Sequence, residues 1–176
     1  MATNDNHLQE KQQGEQLLDY LRHNHQHIVD GEEEQKQIII FRLVDTLFGI
    51  YGCDAREVLT VGTITAVPGS PDFIVGIISV RGDVESIIDL NRFLHLPPER
   101  NLQKWRVIIV ETREARSGIR VAAVEDVMDV PVSAIRESLS TLGENIGSFA
   151  IGEILYKGKV VTLLDVGRIF SKILAG

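Results

Sequence analysis

Few side chains in this sequence have the type and spacing that covalent chemistry needs. Cys53 is the single cysteine, and no histidine stands near it among His7, His23, His25, His27 and His95. A nucleophilic thiolate is activated by an adjacent base or cation. Without one, a cysteine in a β-rich run is expected to be a small buried hydrophobe. His23 and His27 stand at i, i+4 in HNHQH, a spacing that lets two imidazoles on one helix face hold a metal. No acid or cysteine completes a rigid ligand set, so the pair reads as a solvated face. Asp89 and Asp165 could be mistaken for paired catalytic carboxylates. Each precedes a helix-like run, NRFLHL or GRIFSKIL, where a carboxylate accepts from unpaired first-turn N–H groups. Both are expected to be structural caps. Asp83 and Glu85 flank a turn and read as surface charges. Neither G-x-G-x-x-G nor G-x-x-x-x-G-K-[ST] occurs, so no loop of the dinucleotide or phosphate type is expected. The residues predict no catalytic centre, no metal and no cofactor.

The elements that would carry these side chains fall into two textures. Residues 1–36 are polar, acidic and His-rich, with a thin apolar stripe at Leu17, Leu18, Leu21 and Ile28. This segment is expected to be a tail, flexible or weakly helical. Residues 1–37 hold eight acids and three bases, a net −5 of the chain's −7. The remainder carries only −2, far from the basic footprint of a nucleic-acid binder. The N-terminus lacks the basic and apolar regions of a secretory signal. No stretch approaches the roughly 20 apolar residues needed to span a bilayer. With a lone cysteine, these features predict a cytoplasmic protein that does not insert into the membrane. The Arg81-Gly82-Asp83 tripeptide, an adhesion signal in extracellular proteins, is then a chance match.

From Gln37 the chain breaks into short β-rich runs: IIIFRLV, LFGIY, VGIISV, VESIIDL, RVIIVE, IRVAAV, EILY and KVVTLLDV. Turn residues punctuate them about every 8–12 positions, as in a small barrel or sandwich. Residues 73–94 align without gaps on 149–170 at a constant offset of 76, with Phe73/Phe149, Gly76/Gly152, Gly82/Gly158 and Asp89/Asp165 identical. A fainter echo matches GIYGCDAREVLTV from Gly49 to GIRVAAVEDVMDV from Gly118 at an offset of 69. The simplest reading is two similar β modules, one after the other, over residues 37–174. Each includes a strand, a tight turn at Arg81-Gly82 or Lys157-Gly158, a second strand and a capped helix. Glycine supplies the positive φ of a two-residue hairpin turn. Arg81, set in the apolar run VGIISVRGDVESIIDL, is therefore expected at an exposed hairpin tip.

That run resembles the most recognisable segment of the CheW family, the coupling proteins of bacterial chemotaxis. Gly76, Arg81, Gly82, Val84, Ile87, Ile88, Asp89 and Leu90 fit the family pattern. REVLTV with Glu57, VAAVEDVMDV and the closing FAIGEILYKGKVVTLLDV follow in family order. Ser79 stands where the family usually has asparagine, and Ser86 where it has proline, a change that loosens the chain. Glu85 replaces a common apolar residue and is expected to face solvent or a partner.

The resemblance implies a mainly β fold of two five-stranded barrel-like subdomains sharing a core, with short helices including one at the C-terminus. It also implies a non-enzymatic cytoplasmic adaptor, recruited to membrane-associated receptor arrays. Such an adaptor joins the cytoplasmic tip of a methyl-accepting chemoreceptor to the regulatory domain of a CheA-type histidine kinase. The receptor-binding residues it implies are Glu57, Val80, Arg81, Gly82 and Asp83, in a groove between the subdomains. An arginine fork suits a receptor carboxylate; the structural alternative is that Arg81 pairs internally with Glu57. The kinase-facing surface is implied near the strands after Ile64 and Val84, with no residue singled out. Two other functions are open: the same adaptor in another chemosensory system, such as type IV pilus twitching, and a thiol- or metal-dependent enzyme using Cys53 or the tail histidines.

Overall fold

The structure is a computed structural model that describes residues 33–100, 104–137 and 142–176. The described residues from Gln35 onward form one compact unit. Most of the expected tail, with His23 and His27, lies outside the described residues. Gln35 and Lys36, the end of that expected tail, instead open a strand and pair with Pro131 and Val130.

Ten strands and three short helices are present among the described residues. In chain order they are β1 (Gln35–Leu43), β2 (Thr46–Tyr51), β3 (Ala55–Val61), β4 (Ile74–Val80), β5 (Asp83–Asp89), α1 (Leu90–Phe93), β6 (Trp105–Glu111) and β7 (Arg116–Val121). There follow β8 (Ala123–Pro131), α2 (Glu144–Gly147), β9 (Ala150–Tyr156), β10 (Lys159–Leu164) and α3 (Val166–Leu174). The apolar runs foretell every strand except β3 and the body of β8. Those two lie at sheet edges and are interrupted by polar residues, Arg56, Glu57 and Thr60 in β3 and Glu125, Asp126 and Asp129 in β8, so no continuous apolar run marks them. α2 forms in the connection between β8 and β9, which none of the apolar runs covers.

The strands make two five-stranded sheets: sheet A in the order β8-β1-β2-β10-β9, and sheet B in the order β3-β6-β7-β5-β4. The two orders are equivalent once β1–β5 is laid on β6–β10, so the sequence repeat is a structural repeat. The modules are not built one after the other, however. Sheet A takes β1 and β2 from the first half and β8–β10 from the second, while sheet B takes β3–β5 and then β6 and β7. Each half thus contributes to both sheets. The halves are joined by antiparallel pairs, β1 with β8 and β3 with β6, and by parallel pairs, β10 with β2 and β5 with β7.

Burial on both faces explains the continuous apolar runs. In β1, Ile38 and Ile40 enter a cluster inside sheet A, whereas Ile39, Phe41 and Leu43 point into a larger core. In β6, Val107 and Ile109 fill the interior of sheet B, whereas Ile108 and Val110 face that same larger core. Period-two alternation therefore sends successive side chains to different apolar interiors. The larger core is shared: Leu90 of α1 and Val166, Ile169 and Phe170 of α3 complete it. Each fully buried aliphatic or aromatic side chain contributes about 1.5–3 kcal/mol, well above a surface ion pair, so these three cores hold the fold.

Candidate functional site

The nominated residues converge where sheet B closes on itself. β3 and β4 are its two edges. The segment that follows β3 meets β4, the Thr65 N–H donating to the Ile77 carbonyl at 2.9 Å and the Ile77 N–H to the Thr65 carbonyl at 2.8 Å. Toward the hairpin tip, Arg81 Nη2 donates to Glu57 Oε2 across the same seam at 3.1 Å. The internal pairing weighed above is therefore present, joining a turn to an edge strand.

The tip is a two-residue turn with both central residues left-handed, Arg81 at φ 52° and Gly82 at φ 96°. That is the geometry whose twist matches a β-hairpin. It projects Arg81 away from the barrel wall, leaving its side chain 82% exposed while Glu57 is 20% exposed. An exposed pair of this kind contributes about 0–1 kcal/mol. A partner carboxylate could take over the guanidinium at little cost to the fold.

A groove of about 650 Å³ runs along the seam, lined by Glu57, Leu59, Val61, Ile78, Val80 and Arg81 together with Thr60, Thr63 and Thr65. Its apolar floor rests on Ile78 and Val80, which are buried in the sheet B cluster. Val80 thus supports the groove from below, and its burial makes it a poor primary contact. Gly82 opens onto empty space. Asp83 is exposed and stands outside the groove lining. The threonines escape sequence reasoning because a polar edge strand and its connection look like ordinary solvated surface.

This groove lies within one sheet, so the expected position between the subdomains is not where Arg81 sits. Between the sheets there is a different recess of about 700 Å³. The Phe73, Phe93 and Phe149 rings line it, with Arg92, His95, Glu144 and Lys172 among its other residues. None of the nominated binding residues reaches it. The hairpin bends toward the β3 edge and carries Arg81 with it.

The equivalent tip of sheet A is built differently. Asp126 occupies the place of Glu57 and Lys157 that of Arg81, at the repeat offsets. Asp126 accepts instead from the Tyr156 hydroxyl at 2.9 Å, and Lys157 lies over the Tyr156 ring, 4.7 Å from its centroid. Tyr156 also pushes the Lys157 ammonium above its ordinary pKa, with smaller help from Asp126 and Glu125. The arginine–carboxylate seam belongs to sheet B.

Asp89 Oδ1 accepts from the Asn91 N–H at 3.0 Å and the Arg92 N–H at 3.4 Å, capping α1. Its Oδ2 receives Arg120, whose guanidinium stacks 3.9 Å from the Trp105 ring centroid. Asp165 Oδ1 accepts from the Arg168 N–H at 3.0 Å at the start of α3.

Two expectations are corrected. Cys53 is exposed, in a 3-10 turn over Gly52–Asp54 rather than in a strand. Glu85 faces neither solvent nor a free surface: it is buried and paired through Oε1 with Arg116 Nε at 2.8 Å. Its strand position points it inward, and an arginine 31 residues away answers it. Among the described residues no three histidine, cysteine or acidic side chains cluster as metal ligands. No described helix is long and apolar enough to cross a membrane.

Residues 37–174 match the family model described as CheW-like domain. The chain is 28% identical over 137 residues to the probable chemotaxis protein CheW of Rhizobium etli, spanning 78% of this chain and 88% of that protein. It is 30% identical over 101 residues to protein FrzA of Myxococcus xanthus, covering 57% and 63% of the two. The crystal structure of scaffolding protein TtCheW from Thermoanaerobacter tengcongensis superposes with a TM-score of 0.68 at 28% identity, covering 76% of this chain and 90% of that one.

Proposed function

The chain belongs to the CheW family, and from that premise we propose that it is a non-enzymatic adaptor coupling a chemoreceptor to a CheA-type histidine kinase in chemotaxis signalling. The receptor's cytoplasmic tip docks at the seam of sheet B. The observation that carries this reading is the Arg81–Glu57 pair at the rim of a groove whose apolar floor is edged by threonines and charges. A helical tip can lay its apolar face in such a groove and present a carboxylate to Arg81. A bidentate fork formed there would be stronger than the single bond to Glu57. The kinase's regulatory domain binds elsewhere on the chain, and the adaptor fixes kinase geometry relative to receptor. Any signal it passes is a difference in affinity between two states of the assembly. It works in the cytoplasm and reaches membrane-associated arrays through its partners.

The test is a titration of the full chain against a receptor signalling-tip fragment and, separately, the regulatory domain of the kinase from the same organism. Arg81→Glu places a like charge beside Glu57 and repels a partner carboxylate. It is expected to weaken receptor binding at least about tenfold while leaving kinase binding unchanged. Unaltered receptor affinity in that variant, or no binding of either partner by the wild-type chain, would sink the reading.

A further inference from the structure

In the strand order the hairpin that carries Arg81 joins sheet B through β5 against β7, while its β4 edge is held across the seam by the Thr65–Ile77 bridge and the Arg81–Glu57 pair. The equivalent hairpin of sheet A is attached through β10 against β2. Counted at the repeat offsets, these contacts should be identical, and they are not. In sheet A the parallel ladder runs Val161↔Leu47, Thr162↔Phe48, Leu163↔Gly49. In sheet B it begins only at Ile87↔Gly118, the counterpart of Leu163↔Gly49, and continues away from the tip. The first two pairs next to the tip are missing from the backbone ladder.

Side chains replace them. Glu85 and Ser86 stand at the Val161 and Thr162 positions; Arg116 and Ser117 stand at those of Leu47 and Phe48. Arg116 Nε meets Glu85 Oε1 at 2.8 Å. The Ser86 and Ser117 hydroxyls lie 2.8 Å apart, and Ser117 Oγ donates to the Ser86 carbonyl, also at 2.8 Å. Glu85 and Ser117 are buried. In sheet A the corresponding Val161 and Leu47 sit in an apolar cluster.

We infer that Glu85, Ser86, Arg116 and Ser117 form a positioning latch, which sets how the Arg81 hairpin tip stands off β7 and so how Arg81 is presented to a partner in the groove. The inference rests on the proposed function for its partner, but on the comparison of the two sheets for its substance. Fold stability alone does not call for such a device, since sheet A closes the same contact with an apolar pair. Glu85 is desolvated while the Arg116 side chain stays 38% exposed, and replacing a pair that buries a charge by a well-packed apolar pair is commonly neutral or stabilising. The polar version is found at the tip that bears the arginine–carboxylate seam. A strand half held by side chains rather than by a ladder can shift by rotamer changes, without breaking backbone pairs.

Hydrogen exchange on the full chain tests the latch without any partner. Residues 83–86 are expected to exchange about tenfold faster than residues 159–162. The double variant E85V/R116L installs the apolar pair of sheet A. It should bring the two tips within about threefold of each other, at an unfolding midpoint no lower than wild type. The same variant is expected to lower affinity for the receptor-tip fragment at least about threefold, because Arg81 is then held in the wrong place. S117A, which keeps the ion pair, should speed exchange at 83–86 and also weaken binding, and it decides the matter if the double variant does not fold. Equal protection of the two tips in wild type, or folded variants with unaltered exchange and affinity, would overturn the latch. If the wild-type chain binds no receptor fragment, the proposed function fails while the exchange comparison still judges the latch.

Discussion

Arg81 and Lys157 both occupy left-handed backbone, at φ 52° and 49°, where an L-residue other than glycine, asparagine or aspartate costs roughly 1–2 kcal/mol. Asparagine is the favoured occupant of this turn position. Keeping two long cations there suggests that the side chain matters more than the turn. Arg81→Asn should therefore raise the unfolding free energy by about 0.5 kcal/mol, relief of strain outweighing loss of a screened ion pair, while receptor-tip binding falls. Lys157→Asn should also stabilise, with receptor binding untouched. Urea unfolding beside the titration separates the two, and equal loss of binding in both variants would discredit the special place given to Arg81. Asp54 offers a second residue-scale check. Burial, then the nearby Asp165 charge, push its carboxyl above its ordinary value, against smaller opposing effects from Arg56 and Cys53. The native chain then holds this proton more tightly than the unfolded chain. Stability from this group is present below its ordinary value and lost as pH rises through the elevated one. Asp54→Asn removes that step. Its advantage should grow as pH rises from below the ordinary carboxylate value through the elevated one, and then level off. A pH-independent difference in midpoint between the two proteins would rule this out.

At the scale of elements, the glycines Gly76 and Gly152 show what repeat matching can and cannot read. Their identity at the offset of 76 is visible in sequence, yet its cause is not. A Cβ on Gly76 would lie 2.2 Å from the Thr65 carbonyl oxygen, and one on Gly152 2.9 Å from the Arg136 carbonyl oxygen. In each module this is where the seam bridge closes, Thr65 to Ile77 and Arg136 to Glu153. Gly76 also sits at φ 144°, whereas Gly82 at the turn has open space around it. Gly76→Ala should therefore cost more than about 3 kcal/mol, since backbone must move to admit the methyl group. Gly82→Ala should cost about 1 kcal/mol, from φ alone. Denaturant midpoints that rank them the other way would show that the seam is not a rigid contact. Eight of the ten described strands, the caps and the turns were legible because they are set by neighbours in sequence, whereas the polar edge strands β3 and β8 were not. Burial of Val80 and Glu85, and the Ser86–Ser117 contact, were not, since they depend on which distant strand lies alongside. The Glu57–Arg81 pairing stood only as an alternative, because two charges 24 residues apart cannot be placed without knowing that the barrel closes there.

The exchange of strands between halves governs the behaviour of the whole molecule. Two consecutive repeats would suggest two domains that can be cut apart. The topology says otherwise, because residues 33–100 hold β1 and β2 of sheet A but only β3–β5 of sheet B. The second half is broken in the complementary way. The first half alone would expose the parallel edges of β2 and β5, the second those of β7 and β10, and each would leave the shared core without its other wall. Phe41 and Phe48, for example, would lose Ile108, Ile119, Val166 and Phe170. With several large side chains uncovered at about 1.5–3 kcal/mol each, neither half can reach the margin of about 5–15 kcal/mol that keeps a domain folded. Chains cut between residues 100 and 104 should therefore be unfolded separately. Mixed, they should assemble into a complex that unfolds in one cooperative transition and regains binding of the receptor-tip fragment. Circular dichroism and thermal melts of the separate and mixed halves decide it. A first half that melts cooperatively by itself would mean that the modules are independent after all. The seam groove and its latch, which draw Glu57 and Arg81 from one half and Arg116 and Ser117 from the other, would then have to work without half of their parts.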